Sequence, residues 1–275
     1  MRLARFIVVA GTLAGCEWNT IPPPDAAETA DAHHVTGDGM ADAAPANAPH
    51  LLLTEVALAG TEFIEIANPT AQAVDLSDYY LSDNGNYFTI PVGAPVLGAG
   101  DFVVRFPTGR SIPAGGVITV ATGTAAAFNA IYGAPPTYSI KDQTIVTVYS
   151  SGTISLTDAG ELVALFQWDG AADLVADVDL VLAGAGAAGA NGLVSKSGLM
   201  QGASNYAADA NTIAPQAATP GTGKSTKRLA AEAGNETQDG MGNGITGHDE
   251  TSEDTSVTWD AAFGAPTPGS VPPGL

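Results

Sequence analysis

The chain has 275 residues, with nine Lys and Arg against 29 Asp and Glu, a formal charge of −20, one Cys, 33 Gly and 18 Pro. A charge this negative excludes binding of nucleic acid by phosphate neutralisation, and a lone Cys excludes a disulfide framework or a thiolate zinc site. Abundant Gly and Pro with only 14% charged and 7% aromatic residues point to an all-β domain with long loops rather than a helical bundle.

In chain order, Met1-Arg2-Leu3-Ala4-Arg5 is a short cationic head before an apolar run over residues 6–13. The run is too short to span a bilayer, which needs about 20 apolar residues, and it fits the central part of a secretory signal. It ends in Leu13-Ala14-Gly15-Cys16, which resembles the lipobox of bacterial lipoproteins. That resemblance implies a signal peptide over residues 1–15, cleavage before Cys16 and a lipid on the Cys16 sulfur. Two or three acyl chains, at about 0.8 kcal/mol per buried methylene, hold a protein stably on a membrane. Cleavage removes Arg2 and Arg5 and no acid, leaving seven cationic against 29 acidic residues and a charge of −22. Glu17 rather than Asp after the Cys resembles signals that do not retain a lipoprotein in the inner membrane, which favours the outer membrane.

Residues 16–49 carry Pro22-Pro23-Pro24, many Ala, and six acids without one Lys or Arg. No strand or helix period recurs there, so the segment is expected to be a disordered acidic linker. His33-His34 within it is read as a solvated pair rather than a metal site.

From residue 50 the pattern becomes short apolar runs between turns. Residues 51–58, 61–67, 86–90, 101–106, 116–121, 144–149, 153–157, 161–168 and 174–181 read as strands, punctuated by Asn68-Pro69, Asn84-Gly85, Pro113-Ala114-Gly115-Gly116 and Asp158-Ala159-Gly160. This spacing predicts a β-sandwich. One or two helical turns are expected over 124–132, stopped by Gly133.

Leu53-Thr54-Glu55-Val56, then residues 62–69 (EFIEIANP), then Val74-Asp75-Leu76-Ser77 with Leu81-Ser82-Asp83 resemble the opening of the lamin tail domain. Ile112-Pro113-Ala114-Gly115-Gly116, the 155–165 stretch, and the closing Ser225, Arg228, Thr258-Trp259 and Thr267-Pro268-Gly269 are similar to later pieces of bacterial members. The resemblance runs in order over most of residues 50–270. It implies an immunoglobulin-like β-sandwich interrupted by a loop-rich Gly/Ala insertion over 183–250. Thr54 and Tyr79-Tyr80 depart from the family's Asn and Gly-Trp.

Several motifs invite a chemical reading. Residues 184–189 (GAGAAG) with Asp209 twenty residues on imitate a dinucleotide fingerprint, but Gly192, Gly198 and Gly202 break the helix that must hold the pyrophosphate. Residues 218–225 imitate a phosphate loop without the strand before it. Asp239, Asn243, Asp249 and Glu250 lie in a glycine-rich acidic run that faintly echoes a calcium loop, with Met241 where an oxygen ligand belongs; the alternative is a solvated acidic loop. If Ala59-Gly60 turns the chain, positions summing to about 120 pair and Glu55 meets Glu65 across two strands. Opposed like charges destabilise a sheet unless neutralised, so the pair is a cation site or a glycosidase-type acid pair, or else the register is slipped or the charge is compensated by Arg105, Arg110 or Lys141.

His50 and His248 are the only histidines outside the linker, and neither lies in a nucleophile elbow. The expectation is therefore a non-catalytic, lipid-anchored interaction or scaffolding module of the cell envelope, with no cofactor and an envelope protein or glycan as partner. The alternative is a divalent-cation-dependent adhesion or glycan-binding module using calcium, and an envelope hydrolase stands last. A pocket joining His248 to convergent carboxylates would favour the enzyme.

Overall fold

A computed structural model describes residues 50–275 except 188–193, 197, 211, 212, 214, 215, 217, 233 and 272–274. The signal peptide, the linker, His33-His34 and Cys16 lie outside the described residues, as do Gly189 and Gly192 of the glycine-rich motif.

Alternating runs with Gly and Pro between them give fourteen strands among the described residues. They are β1 (Leu52–Ala57), β2 (Phe63–Ala67), β3 (Val74–Asp75), β4 (Tyr79–Ser82), β5 (Phe102–Arg105), β6 (Ser111–Ile112), β7 (Val117–Ala121), β8 (Tyr138–Ser139), β9 (Val146–Ser150), β10 (Glu161–Gln167), β11 (Ala176–Ala183), β12 (Met200–Gln201), β13 (Ser204–Asn205) and β14 (Thr226–Lys227). One sheet has the order β14-β1-β2-β7-β8 and a second β11-β10-β4-β5-β9. All pairs in them are antiparallel except β7 with β8.

The protein is mostly β, and its two main sheets pack as a β-sandwich does. Leu53, Val56, Ile64, Ile66 and Val120 from the first sheet share one buried cluster with Leu81, Phe102, Val104, Val163 and Leu165 from the second. Alternation sends the neighbours outward, and both outer faces are partly covered. Phe63 and Ala121 on the first sheet pack under Phe128 and Tyr132, which belong to α1 (Ala125–Tyr132). Thr124 caps this helix, its hydroxyl accepting the Ala127 N–H at 3.2 Å, and Gly133 ends it with φ 81°, as the sequence leads one to expect. On the second sheet Tyr80, Leu162, Ala164, Phe166 and Leu180 pack against Tyr87, Phe88, Val194 and Tyr206.

Two expected strands are absent. Residues 86–90 form a 3-10 turn, Tyr87–Thr89, because the carbonyls of Asn84 and Asn86 accept the N–H groups of Tyr87 and Thr89 at 3.1 and 3.0 Å. The apolar side chains that suggested a strand instead cover the second sheet. Residues 153–157 form no strand; Ser155 N–H reaches Gly100 O at 3.3 Å, and the next donor, Leu156 N–H, goes to the Glu62 carboxylate at 2.8 Å. In the expected insertion, β14 returns to pair with β1, Glu55 opposite Lys227.

Candidate functional site

The β1–β2 hairpin has the register that alternation requires, with Glu55 opposite Glu65 and Val56 opposite Ile64. The two carboxylates point away from the sandwich core and are buried. Neutralisation comes from the C-terminal segment rather than from Arg105, Arg110 or Lys141. Thr267 N–H donates to Glu55 at 2.9 Å and Gly269 N–H to Glu65 at 2.5 Å. Ser225 and Thr54 hydroxyls donate to Glu55 and Glu65 respectively, and Lys227 Nζ stands 3.8 Å from Glu55. Arg105 is engaged elsewhere, with Ser77 O at 2.8 Å and Asp78 at 3.5 Å. Burial, only partly offset by these donors, pushes Glu65 up to about 7. A surface cavity of about 350 Å³ lies over Glu55, lined also by Lys227, Asp260, Thr267 and Val271.

The phosphate-loop mimic is no strand-to-helix junction: Ser225 runs into β14 and spends its hydroxyl on Glu55. The members of the acidic run face different neighbours. Asp239 is exposed and accepts the Met241 N–H at 2.9 Å. Asp249 accepts from Thr251 Oγ1 at 2.6 Å and Ala210 N–H at 2.8 Å. Asn243 bridges Ala207 O and Asp209. Glu250 alone turns wholly inward, 1% exposed.

There it joins a buried ionic cluster assembled from the start of β1, the middle of β11 and the 228–253 segment. Arg228 is its cation. It donates through Nε to Leu53 O at 2.7 Å, to Glu253 at 2.7 Å, and through one nitrogen to both oxygens of Asp179 at 2.7 Å. Its guanidinium lies 5.0 Å from the Trp259 ring centre, a cation–π geometry. Beyond it, His50 Nε2 is 2.9 Å from Glu232 and His248 Nδ1 is 3.1 Å from Glu236. The two imidazole centres are 5.7 Å apart.

Three sets of donor atoms each fit within 4.8 Å: His50 with Glu232 and His248, Glu236 with His248 and Glu250, and Asp179 with Glu232 and Glu250. Among the described residues, no such set includes Asp239, Asp249, Glu55 or Glu65. Burial holds Glu232 and Glu250 well above the usual carboxylate range, and Arg228 only partly offsets this at Glu232. Burial lowers His248 despite Glu236 beside it. Convergence of His248 with carboxylates is thus present, but among the described residues it is enclosed, the imidazoles being only 5% and 8% exposed.

The glycines of the 240–247 run serve this packing. A Cβ on Gly242 would stand 2.0 Å from His248 O, and one on Gly244 would be 3.0 Å from the Glu250 carboxylate. A second buried network adjoins. Lys196 Nζ lies 2.6 Å from Asp177, 3.2 Å from Asp209 and 3.3 Å from the Tyr87 hydroxyl, and Asp177 N–H continues it to Asn243 O at 3.0 Å. Sequence reasoning found Glu250 but missed Arg228, Glu232, Glu236 and both histidines as one group. Their spacing has no local period, and only the return of the 228–253 segment to β1 unites them.

The Lamin Tail Domain family profile matches residues 44–170. This stretch holds β1 to β10 as far as Gln167, while most of the ionic cluster lies beyond it. Among solved structures, the chain is similar to the crystal structure of a DUF4876 family protein from Bacteroides thetaiotaomicron VPI-5482. The two share 16% identity, with 82% of this chain and 72% of that one covered and a TM-score of 0.39. No curated protein matches.

Proposed function

We propose that the chain is a non-catalytic interaction or scaffolding module of the bacterial cell envelope, an immunoglobulin-like sandwich held by a lipid on Cys16, with the outer membrane as its site. The observation that carries this reading is the enclosure of the chemistry: the acids and histidines that converge are interior, which leaves the outer surface of the sandwich as the part a partner meets. The lipobox-like Leu13-Ala14-Gly15-Cys16 and the acidic, proline-rich 16–49 segment support tethering at a distance from the bilayer. No helix among the described residues is long and apolar enough to cross a membrane.

Fractionation tests the anchor. Cys16→Ala is expected to move the protein from the membrane to the soluble envelope fraction, or to leave the signal uncut; processing and fractionation unchanged from wild type would refute lipidation. Proximity labelling on the anchored form would then identify the partner. The second reading, a divalent-cation-dependent adhesion or glycan-binding module, is favoured over a hydrolase by the meeting of Glu250 with His248 and Glu236 inside the fold.

A further inference from the structure

We infer that His248, which converges with His50 and Glu232 on one side and with Glu236 and Glu250 on the other, is the hub of a closed centre for a divalent transition-metal ion, which fastens the start of β1 to the 228–253 segment. Charge comes first. Five carboxylates (Asp179, Glu232, Glu236, Glu250 and Glu253) surround one cation, Arg228, and every one of these side chains is at most 1% exposed. Were every one of these carboxylates ionised, they would exceed the guanidinium by four negative charges. Each buried ion costs several kcal/mol unless paired, so the cluster needs either protons or another cation.

Glu250 decides between them. Its side chain is buried, it lies within reach of both His248 and Glu232, and neither of its oxygens has a hydrogen-bond partner. Protonation would remove its charge but leave a buried O–H without an acceptor, which is itself unfavourable. A metal ion satisfies both the charge and the empty lone pairs. The donor spacing fits as well. Bonds of about 2.1 Å place neighbouring ligand atoms about 3.0–3.4 Å apart in octahedral or tetrahedral geometry, close to the 2.9 and 3.1 Å separations of His50 from Glu232 and His248 from Glu236.

The donors choose the metal. Two imidazoles with carboxylates suit zinc and its first-row neighbours, whereas calcium takes six to eight oxygens. Enclosure without an open position is the mark of a structural centre rather than a catalytic one. The Arg228–Asp179–Glu253 fork stands behind the ligands and fixes the strand and loop that carry them. None of this depends on whether Cys16 is lipidated.

The test uses the full-length chain, stripped with EDTA and dipicolinate and then titrated separately with zinc, cobalt(II) and calcium. About one zinc or cobalt per chain is expected, with visible cobalt absorption from nitrogen and oxygen ligands. At a hundredfold excess over Kd the thermal midpoint should rise by about 5–10 °C. The pair His50→Gln with His248→Gln should abolish the cobalt spectrum, and the exposed Asp239→Asn should retain it. A wild-type chain that binds neither metal and melts identically with or without chelator overturns the proposal, even where the histidine variants fail to fold. Stabilisation by calcium but not by zinc or cobalt overturns the assignment to a transition metal.

Discussion

Lys196 has none of its side chain exposed, and its ammonium is met by Asp177, Asp209 and the Tyr87 hydroxyl. Burial alone would lower its pKa, but the two carboxylates overcome that and raise it, so the side chain stays charged through neutral pH. Two acids thus depend on one buried cation. Replacing it with a neutral chain of similar length leaves both carboxylates buried and unpaired, a loss of about 3–5 kcal/mol. Lys196→Met is accordingly expected to lower the unfolding free energy by that amount, read by urea unfolding of the full chain. A loss below about 1 kcal/mol, the range of an exposed pair, would show that the network is solvated in solution. Lys196 sits where the sequence offers only a low-complexity Gly/Ala tract, and nothing in its neighbours announces a buried ion. The signal is the residue type itself, one of few cations in a chain of 29 acids.

At the scale of elements, the β1–β2 hairpin is legible in the sequence because its information is local: a turn at Ala59-Gly60 and alternation from Glu55 to Glu65 place those two acids opposite each other, while a register shift between Leu53 and Glu55 has no such signal. What neutralises the pair is not legible there, since Thr267 and Gly269 arrive from the far end of the chain. The same divide runs through the site. Helix α1 carries its own cap and stop, whereas His50 and His248 meet only because the 228–253 segment folds back over β1. Aromatic content also misleads where turn chemistry prevails, at Tyr87 and Phe88. The C-terminal segment therefore acts as a cover for the first sheet's outer face, donating two N–H groups to two buried acids. Hydrogen bonds to charged groups contribute about 1.5–3 kcal/mol each. A chain ending at Ala265 should lose about 3–6 kcal/mol, and Glu65→Gln in that shortened chain should restore part of it. An unmoved midpoint on truncation would show that the pair is satisfied without the cover.

For the molecule as a whole, eleven acids are buried among the described residues against one lysine and one arginine, Lys196 and Arg228. The −20 charge is therefore partly an interior property, and it sets how stability responds to pH. Away from the ionic cluster, burial raises Glu65 and Glu161 to about 7 and Asp83 to about 9. Asp101 adds repulsion at both Asp83 and Glu161, and those two repel each other, while Thr157 and Phe102 N–H groups oppose the shift. Their folded-state values lie above the unfolded ones, so the folded chain holds these protons more tightly. Their contribution is greatest below about pH 4 and is lost as pH rises towards 7 for the glutamates and 9 for Asp83. Glu65 and Glu161 each account for on the order of 2–3 kcal/mol over that interval. Glu161→Gln keeps the neutral form at every pH, so its advantage over wild type should be small at pH 5 and grow to on the order of 2 kcal/mol at pH 8. Taking the difference between variant and wild type at each pH cancels the titration of the ionic cluster, which both chains share. A difference that stays flat from pH 5 to pH 8 would mean that Glu161 is ionised throughout, with the acids at that end of the second sheet open to water.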